Sequence, residues 1–522
     1  MKIHEMSAVE LCDAMQGKEL SSVEIVNALH ARTDEVDGAV HGFVHQFRET
    51  ALSRAKEADT ARSNGEDWGP LHGLPITVKE NIATEGVPQT LGVRAFEAEK
   101  AKEDAVIVQQ AKSAGAIVLG KSNIPMLLLS FETHNDIWGT TNNPWDTRRV
   151  PGGSSGGEAA LISTGQSPIG LGSDIGGSIR IPCAWCGITG IKPTFGRWSV
   201  KGSRGGIVGQ EVVKAQVGPM ARSVADLVLM MKAMDPVAQH QLDPRIPGFP
   251  VGDPSQVDLA GLRVGLYEDD GVFGPAASVR RGVQLAAKVL ADAGATIVPY
   301  TPPESWQMVQ TYFGALSADG TATLRNAIGG QPVIPQLKTL LMLATMPNFI
   351  RGTAAGVMRM KGEPRVATVL ESLGKKSVER LWELTAQRSI LQQAEAQAWE
   401  AHEIDLLIGP STVTPAALHR ETGDWALGAW HTMRYNLLDL PAGVLPITLV
   451  QEDETVRADL VDRLDKKAAM FEQDSVGMPV AAQIVGKPWR ESQVLAAMAA
   501  IEAGVRELDG WPATPIDPRV RQ

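Results

Sequence analysis

Residues 150–193, VPGGSSGGEAALISTGQSPIGLGSDIGGSIRIPCAWCGITGIKP, constrain this chain more than any other stretch. They hold two glycine-flanked serine sites, Ser154 with Ser155 and then Ser178, 24 residues beyond Ser154. Glycine at this density lets backbone approach a ligand closely and opens positive-φ turns that side chains forbid, but it builds no core. Between the two sites, residues 157–165 read as a short helix and residues 167–172 as a buried strand. That strand delivers residues 173–178 to its end, which is where α/β sheets place ligands. The plainer reading is a structural loop or phosphate cradle, because serines in polar loops mostly bond nearby backbone.

The remaining sequence supplies a frame around this stretch. Residues 1–70 read as helices packing outside a core, with a capping-box start at Ser21-Ser-Val-Glu24. From Leu71 onward strand and helix patterns alternate: strand at 74–78, helix at 104–113 and strand at 116–119. The alternation resumes with strand 262–267, helix 276–293, strand 295–298, the long helix 377–403 and strand 404–408. Residues 435–446 and 476–485 read as returning core strands, and the pattern as a whole predicts an α/β class. Residues 217–226 read as a turn into an amphipathic helix, 236–255 as a surface connection and 451–467 as a solvated hairpin or helix. Residues 302–374 are the least regular, and Met342, Met346, Met358 and Met360 cluster there. Methionine gives either an adaptable ligand-facing surface or gap filling in a core helix pair.

Four short motifs point elsewhere and fail on context. Residues 115–122, GAIVLGKS, match the phosphate-loop pattern, yet Gly115 ends a helix and the variable positions are the strand itself. Residues 152–156 match the G-x-S-x-G elbow, which must follow a strand directly; a turn-rich loop over 142–151 precedes them instead. Ser53-x-x-Lys56 and Ser372-x-x-Lys375 lack the companion motifs of β-lactamases. Cys183-x-x-Cys186 has no second pair and no HExxH, so both cysteines read as small core residues and no metal is called for.

The segments that remain, GGSSGGE at 152–158, DIGGSIR at 174–180, CGITGIKPT at 186–194 and HGLPITVKENI at 72–82, resemble the amidase signature family. VERLWEL at 378–384, the stretches 435–446 and 476–485, and Lys487-Pro-Trp489 are similar to its fatty-acid amide hydrolase branch. The resemblance implies one large α/β domain over 71–522, a central mixed twisted sheet covered by helices on both faces, with residues 302–403 as a substrate-pocket or cap region. It further implies Ser178 as nucleophile, Ser154 after a cis peptide as proton carrier and Lys79 as base, with the N–H groups of Ile175, Gly176 and Gly177 as oxyanion hole. Ser155, Asp174 and Arg180 would support this set.

Elementary chemistry agrees with those roles. A serine hydroxyl is a weak nucleophile until a base takes its proton. Lysine serves as that base only when neutral, so its pKa must fall from ~10.4 towards ~7–8. The apolar run at 74–78 before Lys79 would draw the amine out of water. Asp174 and Arg180 flank the nucleophile closely enough to pair and brace its turn. Met126, Leu127, Leu129, Trp306, Tyr312 and Phe313 are the candidates for an apolar acyl pocket.

The expected activity is hydrolysis of linear amides through an acyl-enzyme, with no cofactor. Carbamates, anilides and esters share the tetrahedral chemistry, and the family also contains a partner-dependent component of tRNA-dependent amidotransferases. A net charge of −11 disfavours nucleic acid and anionic membranes as partners. Three cysteines, no signal-like N-terminus and no apolar run of spanning length point to a cytoplasmic protein acting on a small amide, with homodimer or monomer left open.

Overall fold

Strand residues of this protein bury side chains on both faces of one sheet. The computed structural model describes residues 2–520. Its strands are β1 (Phe43–Gln46), β2 (Pro75–Lys79), β3 (Ile117–Ser122), β4 (His134–Asn135), β5 (Gly139–Thr140), β6 (Ile169–Asp174) and β7 (Thr189–Lys192). There follow β8 (Gln216–Ala221), β9 (Arg263–Leu266), β10 (Thr296–Pro299), β11 (Leu406–Pro410), β12 (Ala442–Leu449) and β13 (Pro479–Gly486). Eleven of them form one sheet in the order β1-β3-β2-β6-β8-β7-β12-β13-β11-β9-β10, and β4 and β5 make a separate hairpin. β2 runs parallel to both β3 and β6, whereas β8, β7, β12 and β13 pair antiparallel with their neighbours, so the sheet is mixed.

Period-two alternation explains the two covered faces. On β11, Leu406 and Ile408 join one apolar cluster while Leu407 joins the other; on β13, Ala482 and Ile484 alternate with Ala481 and Val485 in the same way. Helices Ala277–Asp292 and Glu491–Arg506 contribute to the first cluster, and helix Arg180–Cys186 to the second. Strands apolar on both faces need helices on both sides, which is the architecture that the resemblance implied.

Several local expectations change. Residues 1–70 are mostly helical but also supply β1, whose register against β3 makes it the edge of the main sheet. Residues 217–221 belong to β8 and not to a turn; the helix begins after Ser223, whose side chain caps Asp226 N–H. Residues 435–437 end the helix Trp430–Leu437 before β12 starts at Ala442. Gly120, Lys121 and Ser122 lie inside β3, so the phosphate-loop pattern is a strand. Met342 and Met360 are neither pocket nor core: they stand on the outer faces of helices Pro335–Thr345 and Asn348–Met360, 59% and 82% exposed. Six helices, from Ser305–Leu316 to Val378–Ala401, connect β10 to β11.

Candidate active site

β2 ends at Lys79, and all five of its residues are buried. Thr77 and Lys79, two positions apart, face the same side. On that side lies the segment that starts at Ser154 and runs into helix Gly156–Ser163, itself buried throughout, which is why its sequence shows no polar stripe. The helix approaches the sheet where β6 has no side chain: a Cβ on Gly170 would sit 1.8 Å from Glu158 Oε1. Glu158 takes hydrogen bonds from Ser122, at 2.5 Å, and from Thr77. Burial pushes the Glu158 carboxyl up to about 7, against the pull of those two hydroxyls and of Lys79.

Lys79 Nζ lies 2.7 Å from Ser154 Oγ and 3.1 Å from both Ser173 O and Ser173 Oγ. Three acceptors suit the three donors of an ammonium. Neutral amine fits equally well: two N–H groups serve Ser173, and the lone pair receives the Ser154 hydroxyl proton. Desolvation in this fully buried position lowers the Lys79 pKa to about 7, although Asp174, Glu158 and Glu80 pull it upward. The Gly153–Ser154 peptide is cis. Ser155 ties the two serine sites together, its N–H donating to Ser178 O at 3.1 Å and its hydroxyl to Ser173 O at 3.4 Å.

The turn over 174–180 is held by a buried ion pair. Burial opposes charge on Asp174, yet the Arg180 guanidinium holds its carboxyl well below the usual carboxylate range. Arg180 Nε and Nη2 each donate to Asp174 at 3.0 Å, and neither side chain reaches solvent. Asp174 in turn accepts the N–H of Gly177 at 2.7 Å and that of Ile179 at 3.1 Å. Gly177 has φ +105°, and a Cβ there would meet Thr432 Oγ1 at 2.1 Å, so only glycine fits. Tyr312 donates to Ile175 O and Thr432 to Gly176 O, each at 3.1 Å, which fixes the 175–176 and 176–177 peptides ahead of Ser178. Among the described residues no hydrogen bond engages the Ser178 hydroxyl.

Two cavities meet at Ser178. An apolar one of about 150 Å³ is lined by Leu129, Phe131, Ile175, Tyr312, Leu340 and Met433 among others. A more polar one of about 410 Å³ includes Asn81, Ser154, Ser173, Arg204 and Lys214. Ser178 borders both, while Ser154 borders only the polar one.

The sequence-derived triad Lys79, Ser154 and Ser178 therefore converges with Ser155, Asp174 and Arg180. Of the three N–H groups expected for an oxyanion, that of Gly177 is already donated to Asp174. Leu129, Tyr312 and Phe313 line the apolar cavity and Leu127 the polar one. Met126 and Trp306 line neither cavity. Met126 is fully buried in a cluster with Leu91, Val93 and Ile124, and Trp306 packs half-buried on the second core cluster. Cys183 and Cys186 are buried in helix Arg180–Cys186, where desolvation raises both thiols.

Sequence reasoning missed four contributors. Ser173 was readable as the neighbour of Asp174. Thr432, Asn436 and Gln483 were not: Asn436 and Gln483 lie in stretches singled out as core strands, but nothing local announces that they accept from Arg180 at 2.6 and 2.7 Å across more than 250 residues of chain.

Comparison with known proteins assigns the chain to a family. The Amidase family profile matches residues 24–495. The chain is 36% identical over 457 residues to fatty-acid amide hydrolase 1 of Sus scrofa, covering 85% of this chain and 77% of that one. It is 32% identical over 510 residues to a glutamyl-tRNA(Gln) amidotransferase subunit of Carboxydothermus hydrogenoformans, covering 96% and 98%. A solved fatty acid amide hydrolase structure superposes with a TM-score of 0.83 at 27% identity, over 97% of this chain and 86% of that chain. No helix among the described residues is long and apolar enough to cross a membrane. The chain belongs to the amidase signature family, in its fatty-acid amide hydrolase-like branch, and is an amide-cleaving hydrolase.

Proposed function

We propose that this enzyme cleaves linear acyl amides, R–CO–NH–R′, through an acyl-enzyme on Ser178. Neutral Lys79 takes the Ser154 proton; Ser154 takes the Ser178 proton as Ser178 Oγ attacks the acyl carbon. The carbonyl oxygen becomes an oxyanion facing the N–H groups of Ile175 and Gly176, with Gly177 held as part of the braced turn. Collapse breaks the C–N bond. The proton on Lys79 returns through Ser154 to the departing nitrogen, so the amine leaves neutral. Water then attacks the ester by the same relay, releasing the acid and restoring Ser178. The observation that carries this reading is the buried Lys79 amine 2.7 Å from Ser154 Oγ, depressed to about 7.

The apolar cavity, walled in part by helices of the 302–403 region, takes the acyl group R. The test is a series of primary acyl amides from acetyl to dodecanoyl, with matched carbamates, anilides and esters, assayed on the purified chain alone. Turnover of amides that improves with acyl length is the expected result. Inertness towards the whole panel, with activity appearing only beside charged tRNA and partner proteins, would overturn the standalone reading in favour of the amidotransferase relatives' kind of assembly.

A further inference from the structure

To take the Ser154 proton, the neutral Lys79 amine must turn its lone pair towards Ser154 Oγ and both of its N–H groups elsewhere. Ser173 offers two places for them, its carbonyl oxygen and its hydroxyl, each 3.1 Å from Lys79 Nζ. The carbonyl can only accept. The hydroxyl can accept or donate, and a donated proton would occupy the lone pair and leave Ser154 facing an N–H. That second arrangement makes as many hydrogen bonds as the first, and it stops the relay.

Asn81 decides between the two. It stands two residues beyond Lys79, just past the end of β2, and is 2% exposed. Its Nδ2 donates to Arg204 O at 2.9 Å, and because that carbonyl can only accept, the contact fixes which end of the amide is nitrogen. The backbone holds the same two residues together, Arg204 N–H donating to Asn81 O at 2.8 Å. Asn81 Oδ1 therefore faces Ser173 Oγ, at 3.3 Å, as an acceptor. The single proton of the Ser173 hydroxyl is committed to it, and only lone pairs remain for Lys79.

We infer that Asn81 is a positioning residue, which aims the Lys79 lone pair at Ser154 by way of the Ser173 hydroxyl. The inference rests on the relay proposed above and adds the group that gives it a direction. Among the described residues no hydrogen bond joins Asn81 to Lys79 or to Ser154, so its influence passes through Ser173. The charged groups that act on Lys79 are Asp174, Glu158 and Glu80, all carboxylates. They favour the ammonium form and leave the orientation of the neutral amine open.

The test is a double-substitution cycle on the full chain, reading kcat and KM for one acyl amide across pH, together with fluorophosphonate labelling of Ser178. Asn81→Ala frees the Ser173 proton for the lone pair, so the high-pH plateau should fall about 3–10-fold, through kcat. A hydrogen bond donated to the neutral amine favours that form, so the midpoint should also move to lower pH. Ser173→Ala should slow the enzyme by itself, and adding Asn81→Ala should lower the rate by no more than about twofold again, because no hydroxyl is left to misdirect. Asn81→Asp keeps an acceptor facing Ser173 and adds negative charge; it should lose less rate than Asn81→Ala and move the midpoint to higher pH. Losses that multiply in the double variant, an unchanged midpoint in Asn81→Ala, or a rise in KM alone would overturn the role of Asn81 while leaving the relay in place. Labelling of Lys79→Ala at the wild-type rate would overturn both.

Discussion

The polar floor and the helical wall meet at Ser178, and they are built by opposite rules. On the floor, β2, β6 and the 153–180 segment surround polar groups with named partners: Lys79 with Ser154 and Ser173, Asp174 with Arg180, Gly177 and Asn436. The wall over 305–401 borders the cavity through apolar side chains such as Leu316, Leu324 and Leu340, whose packing is non-directional. A buried polar network tolerates almost no change, because each lost partner strands a desolvated group. An apolar wall tolerates substitution at similar volume. Under the proposed function, chemistry therefore belongs to the floor and substrate choice to the walls.

Breaking the floor should have the largest effects. Lys79→Ala removes the base and should lower kcat by ~10²–10⁴-fold with unchanged circular dichroism; near-normal turnover would remove lysine from the relay. Arg180→Ala leaves Asp174 buried without its counter-charge, costing about 3–5 kcal/mol in urea unfolding. A loss under about 1 kcal/mol would show that Asn436 and the turn amides suffice to hold the carboxylate.

The pH profile separates the buried groups of the floor from one another. Lysine is the base only when deprotonated, so kcat/KM should fall as pH drops through about 7, where Lys79 becomes charged. Glu158, also near 7, titrates in the same window. Glu158→Gln separates the two: losing a carboxylate that raises the Lys79 pKa should move the midpoint to lower pH, not abolish it. A profile flat from about pH 5.5 to 8.5 would contradict the assignment.

The wall should respond most mildly. Ala344 is buried at the cavity's edge, and Ala344→Leu should shorten the preferred acyl chain with about a tenfold change in kcat/KM between short and long amides. An unchanged chain-length preference would mean that acyl groups lie elsewhere.

The segments that build the floor were legible in sequence as short motifs, while the roles proposed for their residues came from the family resemblance those motifs carry. Glycines at 176 and 177, the serines at 154 and 178, and an apolar strand ending in Lys79 each leave a short signature. The α/β alternation was legible for the same reason, since period-two and helical patterns are read over a few residues. The braces on Arg180 were not, because Asn436 and Gln483 arrive through topology. Nor was the wall: apolar side chains look alike whether they face a cavity, as Phe313 does, or a core, as Met126 does. Met342 and Met360 show the same degeneracy, their exposure being set by which face of a helix they occupy.

Fluorophosphonate labelling followed by peptide mapping reports the activated serine without any choice of substrate, and so probes the proposed relay from Ser178 through Ser154 to Lys79 itself. A single adduct on Ser178 is expected, lost in Ser178→Ala and strongly slowed in Lys79→Ala. An adduct on Ser154 or Ser155, or labelling of Ser178 at full rate without Lys79, would contradict it.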